Sequence, residues 1–216
     1  MMRLDRVQSL GEEIANSVTH GVGALASLVA LPFLVMAGLP HGVGVVVGNV
    51  VFGASLFLLY ISSTIYHSLA RNRAKRVFRI IDHSAIYVLI AGTYTPFMLG
   101  VLRGPWSWSL LAVVWGLAVL GVALTSAVGV KFPRASVVVY IMMGWLIVVA
   151  VKPLMTYLPS AGLAWLAAGG LAYTGGTAFY GWKRLRYHHT VWHLFVLTGS
   201  ICHFVAVLCY AAPPRA

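Results

Sequence analysis

The sequence predicts an all-α integral membrane protein, built as a bundle of seven transmembrane helices. Hydrophobic residues make up 60% of the 216-residue chain and charged residues only 9%, whereas a typical soluble domain has about a quarter charged residues. Seven apolar runs approach the roughly 20 residues that a helix needs to cross a bilayer. Lipid offers no partner to unpaired backbone groups, so runs rich in Leu, Val and Ala indicate helices rather than barrel strands.

The connections between these runs are too short to form a second domain. We therefore predict a single transmembrane domain over residues 1–216, with a short cytoplasmic amino-terminal segment at 1–17. Glycine-rich stretches at 44–48 and 167–176 predict close contacts between helices. The fifth run is the shortest. The predicted spans are Val18–Leu39, Val43–Tyr66, Ile80–Leu102, Trp106–Val130, Ser136–Val151, Ala161–Trp182 and His189–Ala211.

The distribution of basic residues predicts the orientation. The chain has 15 Lys and Arg against four acids, and they lie in short clusters between apolar runs, a pattern typical of membrane-surface anchoring rather than nucleic-acid binding. Seven spans place twelve of them on one side of the membrane and three on the other, so the positive-inside rule predicts a cytoplasmic amino terminus and an external carboxyl terminus in the cell membrane. The three are Arg103, Lys152 and Arg215; the twelve are Arg3, Arg6, Arg71, Arg73, Lys75, Arg76, Arg79, Lys131, Arg134, Lys183, Arg184 and Arg186.

Six of the eight histidines fall at the predicted cytoplasmic end, and three of them have the pattern of a metal site. His189 and His193 are four residues apart, so they share one face of a helix about one turn apart. His67 closes the second run at matching depth and supplies a third ligand. Three histidines leave one tetrahedral position open, which is the arrangement of a catalytic Zn²⁺ site. Imidazole also suits iron, copper and nickel, so zinc is a preference among metals.

Two further residues complete the predicted site. Asp82 is the only acid in or beside an apolar run after the first, and a carboxylate there is costly enough to indicate a function. Beside a metal it would orient the bound water or accept its proton. Ser63 lies four residues before His67, one turn deeper on the same face, and its hydroxyl is placed to bind that water or a substrate carbonyl.

The other histidines have simpler interpretations. His20, His41 and His188 are expected to contact lipid headgroups, because polar side-chain tips favour the membrane interface. His83 is expected to be a helix-start residue, with a role as ligand in place of His67 as the alternative. His203, near mid-span, is expected to make a hydrogen bond between helices.

Four stretches of the chain resemble the hemolysin III family, within the larger group that contains the adiponectin and progestin receptors. They are EEIANSVTHGVGA (12–24), SSTIYHSL (62–69), RIIDHSAIYVLIAGTYTPF (79–97) and HTVWHLFVLTGSICHF (189–204). The resemblance implies seven helices with the amino end inside and zinc held near the cytoplasmic face by residues matching His67, His189 and His193. It also implies that Asp82 contacts the metal-bound water and that Ser63 lies beside it.

The wider superfamily includes ceramidases, which are zinc-dependent hydrolases of lipid amides, and its bacterial members carry a historical link to haemolysis. Only about 17 residues precede the first run here, fewer than in the receptors, which argues against a hormone-receptor role. The favoured hypothesis is a zinc-dependent membrane hydrolase that takes a lipid amide or ester from the cytoplasmic leaflet. The alternatives are a metal-stabilised membrane sensor or regulator and a cytolytic pore. A transporter is disfavoured because no acid lies at mid-span, and haem because His203 has no mid-span partner.

Overall fold

The computed structural model describes residues 8–102 and 104–212, and every regular element in those ranges is helical. This confirms the all-α class. Within these ranges, five helical segments are long and apolar enough to span a membrane: Leu10–His41, Val43–Ser68, Pro105–Val128, Pro133–Tyr157 and His188–Tyr210. The helices are α1 (Leu10–Gly38), α2 (Val43–Ser68), α3 (Arg73–Leu99), α4 (Pro105–Val128), α5 (Pro133–Trp145), α6 (Val151–Tyr157), α7 (Ser160–Gly181) and α8 (His188–Tyr210).

The two remaining long helices are less apolar, each for a visible reason. α3 is 27 residues long but carries four Lys or Arg in its first seven residues, and α7 is 22 residues long but rich in glycine. Neither reaches the apolarity of the five spans. The seven-span count and the orientation therefore stay predictions.

Two helices begin earlier than the apolar runs predict, because polar caps extend them. The Ser9 hydroxyl accepts the Glu12 backbone N–H at 3.4 Å, and the Glu12 carboxylate accepts the Ser9 N–H at 2.8 Å, a capping box that starts α1 before the lipid-like sequence begins. The Asn72 side chain accepts the Lys75 N–H at 2.9 Å and starts α3. His83 consequently lies in the third turn of α3, and its interpretation as a helix-start residue is wrong.

The fifth span is interrupted in the middle. A 3-10 turn, Leu146–Ala150, separates α5 from α6, and a break in the helix leaves backbone groups without their usual partners. The Tyr94 hydroxyl on α3 accepts the Ile147 N–H at 2.8 Å and lies 2.7 Å from the Met143 carbonyl oxygen, to which it can donate. A tyrosine from the neighbouring helix therefore satisfies the break.

Close packing joins α1 to α2 and α8, α2 to α3, α3 to α4, and α7 to α8. Glycine allows several of these approaches, as predicted. A Cβ at Gly48 would lie 2.7 Å from the Cα of Pro96 on α3, and one at Gly176 would lie 2.6 Å from the Phe195 Cβ on α8. The bundle encloses a cavity of about 410 Å³ bordered by all helices except α4.

Candidate metal centre

Four helix ends meet at one end of the bundle, and side-chain contacts hold them together. Glu13, in the first turn of α1, contacts His67 at the end of α2 and Lys75 at the start of α3. Glu12 accepts the backbone N–H of Tyr187, the residue before α8, at 2.9 Å. The last turn of α2 and the first turns of α1, α3 and α8 therefore meet in one polar region at this end of the apolar bundle.

His67, His189 and His193 converge in this polar region and form a histidine cluster. One ligand atom from each ring lies within 4.8 Å of those from the other two. The ring centroids are 5.2 Å apart for His67 and His189, 5.1 Å for His67 and His193, and 4.6 Å for His189 and His193. His67 and His193 are only 4% and 2% exposed. The structure thus brings together the three histidines that the spacing singled out.

Hydrogen bonds from α1 hold two of these rings in a defined orientation. His67 Nδ1 lies 2.7 Å from the Glu13 carboxylate, and His193 Nδ1 lies 3.3 Å from the Asn16 carbonyl oxygen. Both acceptors require a proton on Nδ1, which leaves Nε2 with a free lone pair. His67 Nε2 is buried and has no hydrogen-bond partner among the described residues. Metal-binding histidines usually have this arrangement, with the second nitrogen donating to a carboxylate or carbonyl.

The donor set therefore fits a divalent transition metal such as zinc. Three neutral imidazoles are ligands that zinc accepts, and three protein ligands with one open position are typical of its catalytic sites. Within residues 8–102 and 104–212, the group of possible ligands contains three histidines and no carboxylate.

Sequence reasoning missed the contribution of α1. Glu13, Asn16 and His20 are spaced by three and four residues, so they share one helix face, and that face contacts the histidine cluster. For the side chains of Glu13 and His20, this spacing was a usable indication. The pattern is inconspicuous in the sequence because the first turn of α1 precedes the apolar run and has the polar composition of a solvent-exposed segment.

Asp82 and Ser63 both line the cavity next to the cluster. Asp82 interacts electrostatically with His67 and with Ser63, but its carboxylate is not part of the ligand group. The Ser63 hydroxyl is 1% exposed and has no hydrogen bond of standard length among the described residues. Both side chains thus lie beside the cluster rather than in it.

The cavity extends from the cluster toward the middle of the bundle. Its far walls are mainly apolar and include Phe97, Val148, Leu154, Met155 and Leu163. Its volume lies within the range of about 300–1,000 Å³ found for small-molecule sites. A polar cluster at one end of an apolar cavity matches the shape of an amphiphile.

The remaining histidines depart from the sequence predictions in part. His20 and His188 are 4% and 2% exposed, so their interpretation as lipid-headgroup contacts is wrong. His188 Nδ1 lies 3.1 Å from the Phe179 carbonyl oxygen. His203 Nε2 lies 3.2 Å from the Leu166 carbonyl oxygen on α7, which confirms the predicted hydrogen bond between helices.

Comparison with known proteins agrees with this architecture. A family model described as haemolysin-III related matches residues 8–204. The chain is 48% identical to Hemolysin-3 of Bacillus cereus over 207 residues, covering 95% of this chain and 94% of that protein. It is also 48% identical to the Hemolysin-3 homolog of Bacillus subtilis (strain 168) over 203 residues, covering 94% and 95%.

A more distant relative comes from animals. The human monocyte to macrophage differentiation factor is 27% identical over 166 residues, covering 74% of this chain and 68% of that protein. The match to the family model extends over nearly the whole chain and includes all three clustered histidines. With seven long helical segments among the residues that the structure describes and nearly full-length similarity to two bacterial hemolysin-3 proteins, this chain belongs to the haemolysin III-related family of multi-pass membrane proteins.

Proposed function

We propose that the protein is a zinc-dependent membrane hydrolase that cleaves the amide or ester bond of a lipid. His67, His189 and His193 hold the zinc ion. The observation that carries the proposal is the position of the three-histidine cluster at the polar end of an apolar cavity inside the bundle. The cluster would hold the reacting bond while the cavity receives the acyl chain.

The ligand set favours a catalytic over a structural metal. A structural zinc site is usually closed by four protein ligands, whereas a catalytic site keeps one position for water or substrate. Asp82 is the acid that could have closed the fourth position as a ligand. Its carboxylate is not part of the group of possible ligands. This supports an enzyme over a metal-stabilised sensor.

The chemistry divides between the metal and two side chains. A zinc ion held by His67, His189 and His193 would supply a water molecule of lowered pKa and a Lewis acid for the carbonyl of the scissile bond. Asp82 accepts the proton that the attacking water loses and returns it to the departing amine or alcohol. The Ser63 hydroxyl donates a hydrogen bond to the carbonyl oxygen as negative charge develops there. The carbon–nitrogen or carbon–oxygen bond breaks, and a carboxylic acid and an amine or alcohol are released.

The lipid would enter from the cytoplasmic leaflet. Ten of the described Lys and Arg residues lie around the starts of α3 and α5 and between α7 and α8, at the end of the bundle that carries the cluster. Positive charge favours the cytoplasmic side. The scissile bond would then lie at the headgroup level and the acyl chain toward mid-membrane.

The rate of lipid hydrolysis by the Asp82→Asn variant, compared with that of the wild type, tests the proposal. Purified protein loaded with zinc should cleave an N-acyl amide or acyl ester lipid, and the substitution should lower the rate by about 10²–10⁴-fold, the usual contribution of a general base. Zinc content should not change, because Asp82 is not a ligand. The matched control is Asn72→Asp, which makes the reverse amide-to-carboxylate exchange at the exposed start of α3, where either side chain can accept the Lys75 backbone N–H, and it should retain the wild-type rate. A wild-type protein that holds zinc and cleaves neither lipid class contradicts the proposal.

A further inference from the structure

His20 is a buried imidazole that makes no hydrogen bond to any residue the structure describes. It lies on α1, 4% exposed. Neither Nδ1 nor Nε2 has a hydrogen-bond partner among the described residues, although both atoms are buried. Leaving a buried polar group unpaired is costly, and here both nitrogens of one ring are unpaired. Both ring nitrogens are therefore available to a group that enters the cavity from outside the chain.

The position of the ring excludes it as a fourth metal ligand. The rings of His20 and His193 are stacked, with centroids 3.5 Å apart and planes within 8° of parallel. A histidine lone pair lies in the ring plane and holds zinc at about 2.0–2.1 Å. A metal in the plane of the His193 ring would therefore lie outside the plane of His20. In agreement, His20 is not part of the group of ligand atoms that lie within 4.8 Å of one another.

His20 is placed instead to contact a molecule that occupies the cavity beside the three histidines. His20 lines the same cavity as Ser63, Asp82, His189 and His193. Tyr60 contacts its ring edge-on, with centroids 5.0 Å apart and planes at 77°, so the ring is fixed in orientation by aromatic contacts rather than by hydrogen bonds. A ring that is held rigidly with free nitrogens is ready to bind a polar group without reorganisation.

We propose that His20 is a ligand-binding residue, which donates a hydrogen bond from one ring nitrogen to a carbonyl or carboxylate oxygen of the lipid that occupies the cavity. A neutral imidazole keeps one N–H donor, and a carbonyl or carboxylate oxygen is the acceptor that an acyl lipid brings. Ser63, whose hydroxyl lines the cavity and has no hydrogen bond of standard length among the described residues, supplies a second donor. The choice of an acyl lipid rests on the proposed function, whereas the role of His20 is measured by binding alone.

The test uses His20→Phe, which keeps a flat ring for stacking on His193 and removes both nitrogens. Zinc per chain is measured together with the affinity for dodecanoate, a fatty-acid probe with the carboxylate that hydrolysis would release. We expect zinc content equal to the wild type and about tenfold weaker dodecanoate binding, which corresponds to one hydrogen bond. Unchanged dodecanoate affinity would overturn the proposal, and so would loss of zinc, since His20 would then support the metal.

A second pair of variants covers the case in which His20→Phe does not fold. His20→Gln and His20→Met have side chains of similar length, but only glutamine can hydrogen-bond. The His20→Gln variant should bind dodecanoate at least fivefold more tightly than the His20→Met variant. Equal affinities, or a wild type that binds no dodecanoate, would contradict the role of His20. If the wild type binds dodecanoate through His20 but cleaves no lipid, the proposed hydrolase fails and the binding role stands.

Discussion

Glu13 joins three helices through one carboxylate. Oε2 lies 2.7 Å from His67 Nδ1 on α2, and Oε1 lies 2.8 Å from Lys75 Nζ on α3. Lys75 also donates to the Leu69 carbonyl oxygen at 3.1 Å. The carboxylate therefore fixes the His67 ring and is itself fixed, which is the usual role of a residue that orients a metal ligand.

Replacement of Glu13 by glutamine should weaken zinc binding by about 10–100-fold, the usual effect of losing such an orienting partner. The neutral amide is a weaker acceptor for His67 Nδ1–H and no longer pairs with Lys75. Zinc affinity is measured by competition with a chelator. Ser17→Ala is the matched control, because Ser17 is on the same helix and bonds to Thr64 and Ser68 rather than to a histidine. Equal affinity in Glu13→Gln and wild type would show that Glu13 does not orient the ligand.

The residues of the cluster differ in how far sequence could predict them. His189 and His193 follow from their four-residue spacing alone, and His67 follows from its depth at the end of an apolar run. Glu13 and Asn16 act through a carboxylate and a backbone carbonyl that meet the histidines only after α1 packs against α2 and α8. The sequence holds no local pattern for a backbone acceptor, so the Asn16 carbonyl was not predictable.

At the scale of elements, α1 has two roles that meet at its first turns. Its outer surface exposes large apolar residues such as Leu25 and Val29, as expected of a lipid-facing helix. Its inner face brings Glu13, Asn16 and His20 to the site. The apolar run predicts only the lipid-facing role. It does not predict the contribution to the site, because the capping box at Ser9 extends the helix about two turns into polar sequence before that run.

The packing of α2 on α3 depends on the missing side chain of Gly48. A methyl group there would lie 2.7 Å from Pro96 Cα and 3.2 Å from the Thr95 carbonyl oxygen, and backbone atoms cannot move aside as a flexible side chain can. Gly48→Ala should destabilise the protein by about 1–3 kcal/mol, as expected for overpacking. Denaturation in mixed micelles of increasing SDS content measures the change.

Gly116→Ala is the control for this substitution. Gly116 is also inside a helix, α4, but an added Cβ would meet no atom within 4 Å. Stability there should hold or rise by up to about 1 kcal/mol, because alanine favours the helix over glycine. Equal destabilisation at both positions would rule out the α2–α3 contact as the cause.

Across the whole molecule, positive charge and the histidine cluster occupy the same end of the bundle. Among the described residues, ten Lys and Arg lie near that end, whereas Lys152 lies on α6 toward the other. Arg3, Arg6, Arg103 and Arg215, whose charges also contribute to the predicted orientation, lie outside the described ranges. This asymmetry predicts that the cluster faces the cytoplasm.

Reporter fusions test this orientation. Alkaline phosphatase fused after residue 216 should be active, because that end is predicted to lie outside, whereas fusion in the 182–187 connection should give an inactive enzyme. A fluorescent protein that folds only in the cytoplasm should show the opposite pattern at the two points. The reversed result would place the cluster at the outer face and remove the cytoplasmic leaflet as the source of the lipid.

The fold as a whole was more predictable than the site. Composition and run length give the helical membrane class because the bilayer constrains every span alike. The break between α5 and α6 was not predictable, since it depends on Tyr94, which precedes it by about 50 residues and meets it only in the folded bundle. The cavity likewise forms only where several helices converge.

The metal content of the purified protein tests the central claim most directly. Wild-type protein purified without chelators should hold close to one zinc per chain, and His193→Ala should hold almost none, because it removes one of three ligands. His203→Gln, a substitution on the same helix outside the cluster, should keep the wild-type zinc content. A wild type without metal, or a folded His193→Ala protein that still holds one zinc per chain, would contradict the account.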